Sequence, residues 1–175
     1  MDLENLGDAF AQIETKLNLS GYLKKICGEI TNKTVSRKFI DDLLKSENIN
    51  HSIAKVAFLH LVFTYIKVAL EDNILTTAEK ENIQFLKRLF RIQPGDFYLH
   101  NKTDIETTLT CQFSKMYEDN YVTNEEALLK ADLQEIFDLG YDEMNGYAKI
   151  EAALSVKNGA DPKNLDILFT HKDFF

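Results

Sequence analysis

A helix-loop-helix pattern occurs twice in this chain, 47 residues apart, and it restricts the folds open to the sequence more than any other feature. The first copy centres on E-D-N-I-L-T-T-A-E at residues 71–79, the second on E-D-N-Y-V-T-N-E-E at residues 118–126. Before each loop lies an apolar helical segment, in which Val62, Ile66 and Ala69 match Leu109, Phe113 and Met116. After each loop an amphipathic segment follows, in which Leu86, Leu89, Phe90 and Ile92 match Leu133, Ile136, Phe137 and Leu139. A fixed offset of this kind is the mark of one supersecondary unit used twice. The match lapses at Ile83, which falls opposite Lys130, so Leu129 is expected to cover that part of the second face.

Local chemistry explains each element of the pattern. Asn50 is a good helix N-cap, and the run that follows it, from Ile53 to Leu70, is apolar on nearly every side. His60, Thr64, Lys67 and Glu71 form its single polar stripe, so this helix is expected at the centre of the fold. Lys55, His60 and Lys67 interrupt the run and leave it short of the roughly 20 apolar residues of a membrane span. Asp72 and Asn73 suit a helix end, because Asn tolerates the left-handed backbone found there. Thr76 with Glu79, and Thr123 with Glu126, have the spacing of a capping box, in which each side chain satisfies the other residue's amide. Helix pairs are therefore predicted at residues 50–72 with 76–91 and at 103–118 with 123–138. A third capping box is predicted at Thr103 and Glu106.

The remaining segments also read as helices. Residues 3–16, a segment from Ser20 carrying Tyr22, Leu23, Ile26 and Ile30, and one carrying Val35, Phe39, Ile40 and Leu43 are expected to pack on the repeated core. Gly140 divides the last long helical stretch, Gly159 ends it, and Asp161 with Pro162 opens a short helix through Leu165 and Leu168. Phe169, His171, Phe174 and Phe175 make an aromatic tail, either packed or offered to a partner. No strand-like alternation persists. The expectation is an all-α fold: one domain over residues 1–175, a core at 50–156, and N-terminal helices at 1–46 packed on it.

The charge balance disfavours several functions. A net charge of −8 lacks the basic field that nucleic acid or an anionic membrane requires. Two scattered cysteines, Cys27 and Cys111, make no disulfide framework. The N-terminus begins acidic without a long apolar run, which is unlike a secretory signal, so the cytoplasm is the expected location. No phosphate-binding glycine motif, no H-E-x-x-H and no G-x-S-x-G is present, and the four histidines are far apart. Neither a catalytic residue nor a cofactor is expected, and the chain is read as a non-enzyme with a protein partner. A homo-oligomer is compatible with the sequence.

The acids of the loops are the candidate site. Asp72, Glu79, Asp119 and Glu126 are the residues that could hold a divalent cation. An EF-hand loop needs oxygen ligands at positions 1, 3, 5 and 12. With Glu79 at position 12, Val68 and Leu70 fall at positions 1 and 3; with Glu126 there, Lys115 and Tyr117 do. Each loop has only the rear half of the pattern. Capping accounts for Glu79 and Glu126, and any cation is expected to bind weakly.

These two loops resemble those of the TerB-like domains, the tellurite-resistance-associated helical family, whose apolar helix ends in a D-G-x-I-x-x-x-E loop echoed in the second half. Asp72, Ile74 and Glu79 occupy the first pattern approximately, with Asn73 in place of the glycine; Asp119, Val122 and Glu126 occupy the second. The likeness spans roughly residues 50–156. It implies an all-helical domain with acidic loop residues as a metal-associated patch, linked to tellurite or stress resistance and to membrane-associated assemblies. Two function classes follow: a non-enzymatic interaction or scaffold module in a stress-resistance or defence system, and a weak metal-responsive domain using both acidic loops.

Overall fold

Where a capping side chain precedes an apolar period, the chain is helical. The computed structural model describes residues 3–167, with side chains from residue 6 onward. In order it contains α1 (Leu3–Leu17), α2 (Gly21–Thr31), α3 (Arg37–Ser46), α4 (His51–Ala69), α5 (Thr77–Leu89), α6 (Asp96–Met116), α7 (Asn124–Ile136) and α8 (Tyr141–Lys157), then a 3-10 turn at Pro162–Asn164. No strand occurs among the described residues, so the architecture is all-α. Its contacts gather into two compact units, residues 1–96 and residues 97–175.

In the first unit α4 is the centre. Asn50 accepts from the amide of Ile53 at 2.9 Å and starts the helix. α1 and α5 pack on α4, and α1 also packs on α2. Phe58 stacks on Phe90 with ring centroids 4.5 Å apart, and Tyr22 and His51 meet the same ring edge-on. Tyr65 receives a hydrogen bond from Asn82 at 3.2 Å. These two residues are equally far from the intervening loop, so α4 and α5 run antiparallel. By length and composition α4 could cross a membrane. Here Phe58, Leu59, Leu61, Val62 and Ile66 are fully buried within the unit, as in a core helix. The open side of α4 is wider than the polar stripe alone, since Ile53 and Val56 are exposed. Their spacing from His60, Thr64 and Lys67 puts all five on one helical face.

In the second unit Ile105, Leu109 and Phe113 of α6, Leu133 of α7 with Phe137 at its end, and Met144, Ala148 and Ala152 of α8 are buried. Phe97 meets Phe137 edge-on at 6.1 Å. Leu165, just past the 3-10 turn, is fully buried. Asp161 caps that turn by accepting from the Lys163 amide at 3.0 Å. The helix expected through Leu165 and Leu168 is thus only three residues long, ending at Asn164. Leu168 itself and the aromatic tail, Phe169, His171, Phe174 and Phe175, lie outside the described residues.

The third capping box is not formed. Thr103 lies inside α6, where its carbonyl accepts from Thr107 Oγ1 at 2.8 Å. Helical backbone begins earlier, at Asp96, after a turn in which Asp96 Oδ2 accepts from the Gln93 amide at 2.7 Å and Gly95 is left-handed at φ 81°. The predicted boundary is nonetheless present as a break in the helical backbone at Asn101, with φ −127° and ψ 23°, so α6 is two helical segments and the second, ending at Met116, begins close to the predicted start. The Gln93–Asp96 bond has a counterpart 47 residues on: Glu143 Oε2 accepts from the Gly140 amide at 2.8 Å and opens α8. The first turns of α6 thus occupy the register of α8, and its remainder that of α4.

Candidate functional site

The loop between α4 and α5 and the loop between α6 and α7 are alike bond for bond. Each begins as its helix ends, with the amides of Leu70 and Tyr117 donating to Ile66 and Phe113 at 3.0 Å. Asn73 and Asn120 then turn left-handed, with φ 61° and 65°. This is the backbone role for which asparagine is the usual substitute for glycine. Asp72 Oδ1 accepts from the amide of Ile74 at 3.0 Å, and Asp119 Oδ1 from that of Tyr121 at the same distance. Glu79 Oε2 accepts from the Thr76 amide at 2.8 Å and from Thr76 Oγ1 at 2.7 Å. Glu126 Oε2 does the same for Thr123, at 2.8 and 2.9 Å. In return the amides of Glu79 and Glu126 donate to the threonine hydroxyls at 3.2 Å. Both capping boxes are therefore closed.

These bonds bear directly on cation binding. All four sequence-predicted acids use one carboxylate oxygen on their own backbone and keep the other outside these bonds. Among the described residues, no group of three or more histidine, cysteine, aspartate or glutamate side chains is placed to hold a metal ion. A cation at either loop would meet one Asp and one Glu oxygen plus carbonyls, well below the six to eight oxygens calcium prefers.

Among its exposed polar residues each loop also exposes one large aliphatic or aromatic side chain. Ile74 is 59% exposed and Tyr121 is 54% exposed, at equivalent positions one residue past the left-handed asparagine. Glu71 and Asp72 flank the first, Glu118 and Asp119 the second, all of them exposed. Sequence reasoning matched Ile74 with Tyr121 but assigned neither to a site. Their signal was an apolar residue kept at a polar turn, where a buried partner is hard to reach.

The second loop has bracing of its own. The Val122 amide donates to Asn164 O at 2.8 Å. Ser155 Oγ lies 2.9 Å from Tyr117 O and 2.7 Å from Asn120 Oδ1, with one proton to give. Lys130 Nζ donates to Asp166 O at 2.9 Å, so the residue opposite Ile83 ties down the segment that carries Leu165. Leu129 is buried and covers the face as expected. The Tyr117 hydroxyl is buried with no hydrogen-bond partner among the described residues. Burial, and then the charges of Asp166 and Glu126, push its pKa upward, so it stays a neutral phenol.

The second unit also has an open groove of about 600 Å³ along α6, lined by Thr103, Glu106, Thr107, Thr110, Cys111, Ser114, Lys115 and Glu151. Its lining includes no histidine to activate Cys111 or a hydroxyl. Compared with protein-family models, curated proteins and solved structures, the chain matches none.

Proposed function

We propose that this chain is a non-enzymatic helical interaction module, a TerB-like scaffold serving a tellurite- or stress-resistance or defence system. One observation carries the reading: both loops spend their acids on holding the backbone rigid and leave an apolar side chain exposed between carboxylates. A rigid apolar residue with a charged rim suits protein recognition, since little conformational entropy is lost when a partner closes over it. The carboxylates at Glu71 and Asp72, and at Glu118 and Asp119, favour a partner whose pocket is rimmed by lysine or arginine. The TerB-like resemblance of the two loops supports the same reading.

The test is photo-crosslinking in cells of the source organism, with a benzophenone amino acid at residue 74, at residue 121 and, as control, at the exposed Leu99. A recurring protein adduct from 74 and 121, absent from 99, is the expected result. Adducts indistinguishable among the three positions would overturn the assignment of the loops. A second reading, weak divalent-cation response, draws on the one carboxylate oxygen left over on each of Asp72, Glu79, Asp119 and Glu126.

A further inference from the structure

Two of the exposed large apolar residues of α8, Ile150 and Leu154, share one side of it, while the third, Tyr141, stands at the helix start on the other side. Met144, Ala148, Ala152 and Ser155 turn into the core of the second unit, while Ile150 is 63% exposed and Leu154 is 51% exposed. At 100° per residue, Gly146, Ile150, Lys157 and Glu143 share the side opposite the buried one, with Leu154 at its edge. A Cβ built on Gly146 would meet nothing within 4 Å, so the helix surface is open there and lower than at its side-chain-bearing neighbours by the missing Cβ.

This face is complementary to its own reverse. Four residues before Ile150 is the low point at Gly146, and four residues after it is the projecting Leu154. Seven before is the acid Glu143, and seven after is the base Lys157, both exposed. We propose that two copies of this chain pair through α8, antiparallel, about a two-fold axis at Ile150. Ile150 then meets the same residue of the second copy. Each Leu154 meets the other copy's Gly146, and each Glu143 faces the other's Lys157, roughly 10 Å along the helix from the axis. Two-fold symmetry makes every one of these contacts twice. A parallel pair would set Glu143 against Glu143 and Lys157 against Lys157, so the charges select the antiparallel arrangement. Glu143 gives one oxygen to the Gly140 amide and keeps the other for this contact. The face uses neither of the loop residues Ile74 and Tyr121, so the pairing stands or falls independently of the proposed function. One helix face is small for a stable dimer, which makes this a concentration-dependent association.

Sedimentation across a concentration series into the millimolar range tests it. The mass is expected to rise from 20.1 kDa toward twice that value. Lys157→Glu and Glu143→Lys are each expected to weaken association at least about tenfold, since each sets like charges face to face. Mixing the two variants restores it, because every contact is then acid on base. Circular dichroism identifies any loss caused by unfolding of α8, for which Ile150→Asp at an exposed position is the second variant. In a Cys111→Ser background, Ile150→Cys is expected to form a disulfide-linked dimer on oxidation, and Leu128→Cys is not. A chain that stays monomeric at every concentration overturns the proposal. So does self-association indifferent to Lys157→Glu and Ile150→Asp.

Discussion

Thr123 shows how much one side chain can decide. Its hydroxyl receives the Glu126 amide, its own amide is received by Glu126, and α7 begins at the next residue. Thr76 does the same for α5. Removing the hydroxyl leaves an amide of the first turn unsatisfied, so Thr76→Ala and Thr123→Ala are each expected to cost about 1 kcal/mol, read from urea midpoints. Thr103 has the same Thr-x-x-Glu context but lies just past the break at Asn101, where its carbonyl and not its hydroxyl is bonded, and Thr103→Ala is expected to stay within about 0.5 kcal/mol of the parent. Cysteine chemistry divides just as sharply. Burial, aided by the charge of Glu14, pushes the Cys27 thiol up to about 12, whereas Cys111 is exposed. At about pH 8 a thiol reagent is expected to label only Cys111 in the folded chain, with Cys27 reacting on denaturation. Equal labelling of both would show that α2 opens readily. His51 is held below its usual 6.5 chiefly by burial and then by Arg91, with Asp41 pulling the other way. A histidine whose folded pKa is depressed contributes stability above its unfolded pKa, and that stability is lost as pH falls through the folded pKa. The urea midpoint is therefore expected to drop from about pH 7.5 to about pH 5.5, and His51→Gln to flatten the drop.

At the scale of elements, α4 and the later part of α6 occupy equivalent places yet differ in how they are covered. Leu59, Leu61 and Phe63 are buried on α4, while their counterparts on α6 are Glu106, Thr108 and Thr110. The first unit has three N-terminal helices with which to surround its hairpin; the second covers its own with α8 and the segment around Leu165. The same exchange occurs at the hairpin interior. Tyr65 and Asn82 form a buried hydrogen bond in the first unit, and Gln112 and Leu129 hold those positions in the second. Asn82→Leu removes the bond that Asn82 Nδ2 donates to the Tyr65 hydroxyl and is expected to cost about 1–3 kcal/mol by urea melt. A neutral result would mean that the hydroxyl finds another partner. These contrasts mark what the sequence makes legible. Loop geometry was readable because Asp, Asn, Thr and Glu act within five residues of one another, where spacing fixes the bonds. The start of α6 was not, because Thr103 and Glu106 satisfy the same rule as Thr123 and Glu126, while the chain is already helical from Asp96 and breaks at Asn101 instead of at Thr103. Exposure of Ile53 and Val56 was missed for a similar reason. An almost wholly apolar helix has little periodicity with which to mark its open side, and its neighbours decide which residues stay wet.

For the molecule as a whole, the decisive quantity is how much a cation could add to a fold already closed by its own bonds. Each loop satisfies its amides with carboxylate oxygens, so a cation arriving there must use the leftover oxygen of each acid or displace an amide that is already bonded. Either route keeps the ligand count low, and the dissociation constant is expected above about 10⁻⁴ M. At a ligand concentration tenfold above such a constant the gain is about 1.4 kcal/mol. For a chain of this size that corresponds to a rise in Tm of about 3–6 °C. Thermal melts in millimolar calcium, magnesium, manganese and zinc are expected to stay within that bound. Asp72→Asn with Asp119→Asn removes two of the four leftover carboxylate charges while leaving an oxygen to accept from the amides of Ile74 and Tyr121, so it tests binding with little disturbance of the turns. A rise well beyond the bound, abolished by that double substitution, would show that the acids act together on a metal and would displace the interaction reading. A rise that survives the substitution would place the cation elsewhere, and the loops would keep their role as rigid mounts for Ile74 and Tyr121.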